Sequence, residues 1–167
     1  MRRTPTNEAT GWVAVAQHYG LYAQLNKLIE EVSEYMQADA LFGAGALTED
    51  ALVSEIADVF AVSQQVDYLL GDATGELEDL ISRASRSVLP AQSVNPVVLY
   101  GSAVIYTLSR ACSRYYRVDR SEVLVPLSNL LAYMRWYCAQ AHCERAVRRT
   151  MAAKLSRQQR RMKEEDA

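Results

Sequence analysis

The sequence predicts an all-α fold, an antiparallel helical bundle formed as a single domain. Turn residues are sparse: seven Gly and four Pro make up about 7% of 167 residues, against a usual share of about 12%. No Gly follows Gly101, whereas a many-stranded sandwich or barrel needs a turn every 8–12 residues or so. Apolar residues recur with a period of 3.6 over two long consecutive segments, the spacing of one helix face. Half the chain is apolar and 23% is charged, which sets it apart from disordered and fibrous chains and suits one core-forming domain.

Residues 1–10 are polar and are expected to fray. A short helix is expected over residues 12–18, breaking at Gly20. Over residues 21–41, Leu21, Leu25, Leu28, Ile29, Val32 and Met36 share one helix face, and Gly43-Ala44-Gly45 ends the run. Thr48 is a good N-cap for the next helix, with Glu49 and Asp50 in the first turn, where the helix dipole favours negative charge. Leu52, Ile56, Val59, Phe60, Ser63, Val66 and Leu70 form its expected buried stripe, and Gly71 stops it. A link of about six residues makes these two helices antiparallel neighbours. Residues 76–88 read as an amphipathic helix, followed by a loop through Pro90, Ser93, Asn95 and Pro96. Residues 97–116 are apolar on most sides and predict a central helix. Residues 117–120 turn the chain. Ser121 is the expected N-cap of the next helix, and Pro126 limits where its regular part begins. From Leu127 the pattern stays helical to about Lys163, with a bend or split expected near residues 141–144, where polarity rises.

Several function classes fall away. No run of ~18 apolar residues exists, so no membrane-spanning helix is expected. Met1-Arg2-Arg3-Thr4-Pro5 has no apolar stretch behind it, so no secretory signal is expected. Cys112, Cys138 and Cys143 are an odd count in no framework spacing, which fits reduced thiols and a cytoplasmic location. Cys138, His142 and Cys143 are spaced suggestively for zinc, but no second ligand pair accompanies them. Arg114-Tyr115-Tyr116-Arg117 suits either base stacking or an ordinary helix end. Tyr133, Trp136 and Tyr137 suit a core or an oligomer interface.

The net charge of −2 is unevenly distributed. Residues 144–167 hold eight Lys/Arg and four Asp/Glu, while residues 1–143 hold ten and sixteen. An acidic body with a basic last helix suits a metal plus a phosphate-bearing ligand, and equally a solvated terminal helix. Nucleic-acid binding through residues 145–163 is disfavoured by the acidic body.

The chemistry-bearing residues are acidic. Glu31/Glu34 and Glu55/Asp58 are pairs at i and i+3, so each pair lies on one helix face. At about 100° per residue, both pairs border the apolar stripe of their helix rather than point away from it, and Gln24 and Lys27 fall on the same flank as Glu31 and Glu34. Antiparallel packing can bring the four carboxylates to one seam. Like charges in a small volume repel unless a counter-charge joins them. A hard divalent cation such as Mg²⁺, which takes oxygen ligands, resolves this. The alternative is a solvated acidic flank.

Gln24-Leu25-Asn26-Lys27-Leu28-Ile29-Glu30-Glu31-Val32-Ser33-Glu34, followed by Glu55-Ile56-Ala57-Asp58-Val59, resembles the MazG-like, all-α nucleoside triphosphate pyrophosphohydrolases. Their pattern is EExxE, a gap, then ExxD. Lys154-Leu155-Ser156-Arg157-Gln158-Gln159-Arg160-Arg161 is similar to the basic segment that closes their catalytic domain. The resemblance implies a bundle of that type with an additional helical insertion. Residues 17–71 would be the metal-binding helix pair, 72–143 the insertion or oligomerisation region, and 144–163 the basic C-terminal helix. It implies Mg²⁺ ligation by Glu31, Glu34, Glu55 and Asp58, with Mn²⁺ able to substitute. Glu30 would assist or orient water, and Gln24, Lys27, Lys154 and Arg157 would bind substrate. The implied reaction turns a nucleoside triphosphate and an activated water into a monophosphate and pyrophosphate, in a homo-oligomer, dimer or tetramer. About seventy residues lie between the acidic helices and the basic segment, where compact members have a short connection. A non-catalytic helical scaffold that kept the bundle is the alternative function.

Overall fold

A computed structural model of the chain describes residues 7–71, 75–87, 95–113 and 118–165. The described residues form six helices and no strand: α1 (Asn7–Gly43), α2 (Glu49–Leu69), α3 (Glu76–Ala84), α4 (Pro96–Ser113), α5 (Arg120–Gln140) and α6 (Glu144–Glu165). The all-α class follows directly, and no described helix is long and apolar enough to cross a membrane.

α1 is two helices joined at a kink. Gly20 has φ 80° and ψ 169°, a region that costs a side-chain-bearing residue dearly. The break falls where the sequence places it, although the first helix starts at Asn7, so residues 7–10 are helical rather than frayed. At the other end Ala46 N–H reaches the Leu41 carbonyl at 2.8 Å and Gly45 N–H the Phe42 carbonyl at 2.9 Å, the paired bonds of a Schellman stop. Thr48 caps α2, its hydroxyl accepting from Ala51 N–H at 3.3 Å.

α1 and α2 run antiparallel. Glu31 and Glu55 meet at one level, while further along α2 and back along α1 the Gln17 amide donates to the Tyr68 hydroxyl at 2.8 Å. Leu25, Leu28, Val32 and Tyr35 of α1 are buried with Leu52, Ile56, Val59 and Val66 of α2, each worth roughly 1.5–3 kcal/mol by removal of apolar surface from water.

α4 packs on α1 and α5, α3 on α5, and α6 on α2 and α1. The α1–α4 crossing is close: a Cβ at Gly101 would stand 2.5 Å from Met36 Sδ, so this face of α4 carries no side chain there. α4 is peripheral, not central. It buries Val97, Val104, Leu108 and Ala111 but leaves Val98, Leu99 and Tyr106 exposed. The deeply buried partner is α5, with ten buried residues.

Two further boundaries differ from the sequence reading. α3 ends at Ala84, short of residue 88, which itself lies outside the described residues together with Pro90 and Ser93. The N-cap of α5 is Asp119 rather than Ser121: its carboxylate accepts from Ser121 N–H at 2.9 Å and from the Ser121 hydroxyl at 2.8 Å. Those bonds hold the Asp119 carboxyl below its usual range. Asn95 caps α4, accepting from Val97 N–H at 2.8 Å, with Pro96 at the first helical position, where its missing N–H is harmless. The expected split near residues 141–144 is present, with His142 at φ 55° between α5 and α6.

Candidate metal and phosphate site

Glu30, Glu31, Glu34, Glu55 and Asp58 converge on a single cavity of about 280 Å³ between α1, α2 and α6. Lys27, Lys154 and Arg157 line the same cavity, together with Gln158 and Arg161. One ligand atom from each of Glu31, Glu34 and Glu55 lies within 4.8 Å of the others. These are hard oxygen donors, the set that suits Mg²⁺ or Mn²⁺ rather than a soft metal.

Asp58 stands beside this trio but is engaged by a cation: Lys154 Nζ donates to its Oδ2. Both side chains are well covered, at 16% and 22% exposure. The pairing joins residues 96 apart in sequence, and it is the packing of α6 across α2 that makes it. Leu155 anchors that packing by joining Trp12, Val15 and Ala61 in a small apolar cluster.

Lys27 stands on α1 itself, within one turn of Glu30 and Glu31. Its ammonium lies 2.9 Å from Glu30 and 2.8 Å from Glu31, holding two adjacent carboxylates at once. Burial disfavours the charged form of Lys27, but its hydrogen bonds to Glu31 and Glu30 outweigh burial and raise its pKa. Glu31 is only 5% exposed. Burial pushes its carboxyl up to about 7, with Asp58 and Glu34 adding to the rise and Lys27 opposing it. Glu55 is raised by burial and by the neighbouring Asp58 charge. The surroundings raise both carboxyls, and an added positive charge in the cavity would oppose that rise.

Gln24 is not in this cavity. It lines an adjoining one of about 270 Å³ with Tyr19 and Ala23, and Lys27, Gln158 and Arg161 are shared by the two. The sequence reading missed Tyr19, Gln158 and Arg161. A helical step signal was available for two of them: 154, 157, 158 and 161 follow one face of α6. Cys138 and Cys143 are both buried, and Cys143 N–H donates to the Cys138 carbonyl at 3.0 Å, while His142 is exposed. Arg114-Tyr115-Tyr116-Arg117 lies outside the described residues.

No protein-family model, no curated protein and no solved structure matches the chain. The reading of the site therefore rests on its own chemistry and on the motif resemblance.

Proposed function

We propose that the protein hydrolyses nucleoside triphosphates between the α- and β-phosphates, releasing a nucleoside monophosphate and pyrophosphate, with Mg²⁺ as cofactor and Mn²⁺ able to replace it. On this reading the chain is a MazG-like, all-α pyrophosphohydrolase. The observation that carries the proposal is the return of α6, which sets Lys154, Arg157 and Arg161 against five carboxylates of α1 and α2 in one cavity. A solvated acidic flank has no need of that opposing wall. A phosphate–metal complex needs both signs of charge side by side.

Glu31, Glu34 and Glu55 would hold the cation, and Asp58, now paired with Lys154, would be able to join them if Lys154 turned to a phosphate oxygen. A bound divalent ion supplies charge neutralisation and Lewis-acid polarisation of the phosphoryl group. Lys154, Arg157 and Arg161 bind phosphate oxygens through charge-assisted hydrogen bonds and offset the charge growing on the leaving pyrophosphate. Lys27 fixes the orientation of Glu31. Glu30, exposed and tied to Lys27, stands at the rim, where it can orient the attacking water. The reading also carries a homo-oligomer, dimer or tetramer, in the cytoplasm. The exposed Val98, Leu99 and Tyr106 of α4 supply an apolar face for such assembly.

The test is a panel of canonical and modified ribo- and deoxyribonucleoside triphosphates incubated with Mg²⁺ or Mn²⁺, with products resolved by chromatography. Monophosphate and pyrophosphate are expected from at least one of them. Glu31→Gln and Asp58→Asn should each lower turnover by at least about 100-fold, the scale for losing a transition-state charge contact, with helical content unchanged. Absence of hydrolysis across the panel, a diphosphate product, or full activity in either variant would overturn the assignment.

A further inference from the structure

α6 brings Lys154, Arg157 and Arg161 to the acidic cavity, yet little of this helix rests on the main core. Its two buried residues are Val147 and Leu155. Val147 joins the core shared by all six helices. Leu155 lies instead in a separate cluster with Trp12, Val15 and Ala61, against which Met151 and Met162 also pack. Lys154 and Arg157 flank Leu155 in sequence, and Arg161 lies less than two turns beyond it. The stretch of α6 that forms the basic wall is therefore anchored on residues 7–19, the first half of α1, and on Ala61 of α2.

The approach is close enough to need a glycine. A Cβ at Gly11 would stand 2.8 Å from Leu155 Cδ2, 3.2 Å from Leu155 Cδ1 and 2.8 Å from Gln159 Nε2. Gln159 is partly exposed and can swing aside. Leu155 is 6% exposed and enclosed by Trp12, Val15 and Ala61, so it yields only with its helix. Gly11 has ordinary helical backbone, where alanine would be the better helix former. Packing rather than conformation is what a glycine serves there. Further along, His18 Nε2 lies 3.1 Å from Glu165 Oε2, and the Tyr19 hydroxyl donates to the same oxygen at 3.4 Å. Such exposed polar contacts contribute little, so the apolar contact at Leu155 is the main fastening. One residue, Gly20, separates this half of α1 from the half that carries Lys27, Glu30, Glu31 and Glu34. Residues 7–19 are thus joined to acids of the cavity through the chain and to its cations through packing.

We infer that residues 7–19 form a strap that sets the spacing between the two walls of the cavity, with Gly11 and Leu155 as its positioning residues. This rests on the proposed phosphate site and adds residues outside its motifs. Neither Gly11 nor Leu155 lines the cavity; both act through the placement of Lys154, Arg157 and Arg161. A methyl group at position 11 pushes α6 outward and shifts the wall that meets phosphate. Glu31, Glu34 and Glu55 belong to α1 and α2 and keep their places. Charge-assisted hydrogen bonds weaken steeply once distance and angle are lost. Anion binding therefore falls while metal binding does not.

The experiment uses the full chain and calorimetric titration with two probes: Mn²⁺ alone, and inorganic tripolyphosphate in the presence of saturating Mn²⁺. Gly11→Ala should weaken tripolyphosphate by about tenfold, the scale of one hydrogen bond to a charged group. Its Mn²⁺ affinity and circular dichroism should match the wild type. Leu155→Ala, which loosens the anchor without adding bulk, should show the same split between anion and metal. Combining Gly11→Ala with Leu155→Val withdraws the obstructing methyl groups and should restore most of the affinity that Gly11→Ala loses. A Gly11→Ala variant that binds tripolyphosphate as the wild type does, variants that lose Mn²⁺ and tripolyphosphate together, or a double variant that recovers nothing would overturn the strap. A wild type that binds tripolyphosphate with these variant effects but hydrolyses no nucleoside triphosphate would instead overturn the proposed reaction and support the strap.

Discussion

Glu31 concentrates the electrostatics of the site. It is a buried carboxyl facing one ammonium and several other acids, and its pKa rises from an ordinary 4.5 to about 7. A carboxyl whose folded-state pKa is raised binds its proton more tightly when folded. Its favourable contribution is therefore complete below about pH 4.5 and is lost as pH climbs to about 7. Without metal, the melting temperature of the wild type should fall across this window relative to that of Glu31→Gln, which carries no titrating proton there. Parallel melting curves for the two proteins from pH 4.5 to pH 7.5 would remove Glu31 as the strained group. A divalent cation competes with the same proton, so metal-induced stabilisation should grow over the same pH interval. Lys154 brings its ammonium to Asp58, the acid that lines the same cavity as Glu31, Glu34 and Glu55.

At the scale of helices, the kink in α1 is the most informative feature. Nothing crowds Gly20, so only its backbone conformation argues against a side chain. Gly20→Ala in a straight helix would stabilise by about 0.8–1.0 kcal/mol through helix propensity. At φ 80°, ψ 169° it should instead destabilise by about 1–3 kcal/mol, a difference in sign that chemical denaturation resolves. The break was legible in the sequence because a glycine falls between a short helical segment and the long apolar-periodic run from Leu21. The cap at Thr48, the stop at Gly45 and the split near His142 were legible for similar local reasons. The roles of α4 and α5 were not. A segment apolar on most sides has a weak phase, and packing turns the face with Val97, Gly101, Val104 and Leu108 inward, Gly101 lying against Met36. Asp119 and Ser121 are both good caps, and a carboxylate that reaches both the amide and the hydroxyl of Ser121 settles that choice. The acid pairs announced themselves by spacing. Gln158 offered only its helical step from Lys154 and Arg157, a face whose meaning appears once α1 and α2 pack against α6.

In the whole molecule, one apolar cluster draws residues from all six helices, including Leu77 and Ile81 of α3, Val104 of α4, Leu127 of α5 and Val147 of α6. The described helices between the acidic pair and the basic helix therefore complete the core rather than stand apart from it. That continuity explains how cations near the end of the chain come to face acids near its beginning: α3, α4 and α5 fill the far side of the α1–α2 pair, while α6 packs over its acidic flank. The uneven charge of the sequence thus becomes two walls of one cavity. The central claim is that this cavity takes a divalent cation through Glu31, Glu34 and Glu55, and thermal unfolding with increasing Mg²⁺ or Mn²⁺ tests it most directly. A ligand at one hundred times its Kd stabilises by about 2.7 kcal/mol, which raises the melting temperature of a domain this size by about 5–10 °C. The account predicts such a rise for the wild type and none for Glu31→Gln or Glu55→Gln. A wild type whose melting temperature is indifferent to both metals, or variants that respond as fully as the wild type, would contradict it and leave the helical scaffold as the better description.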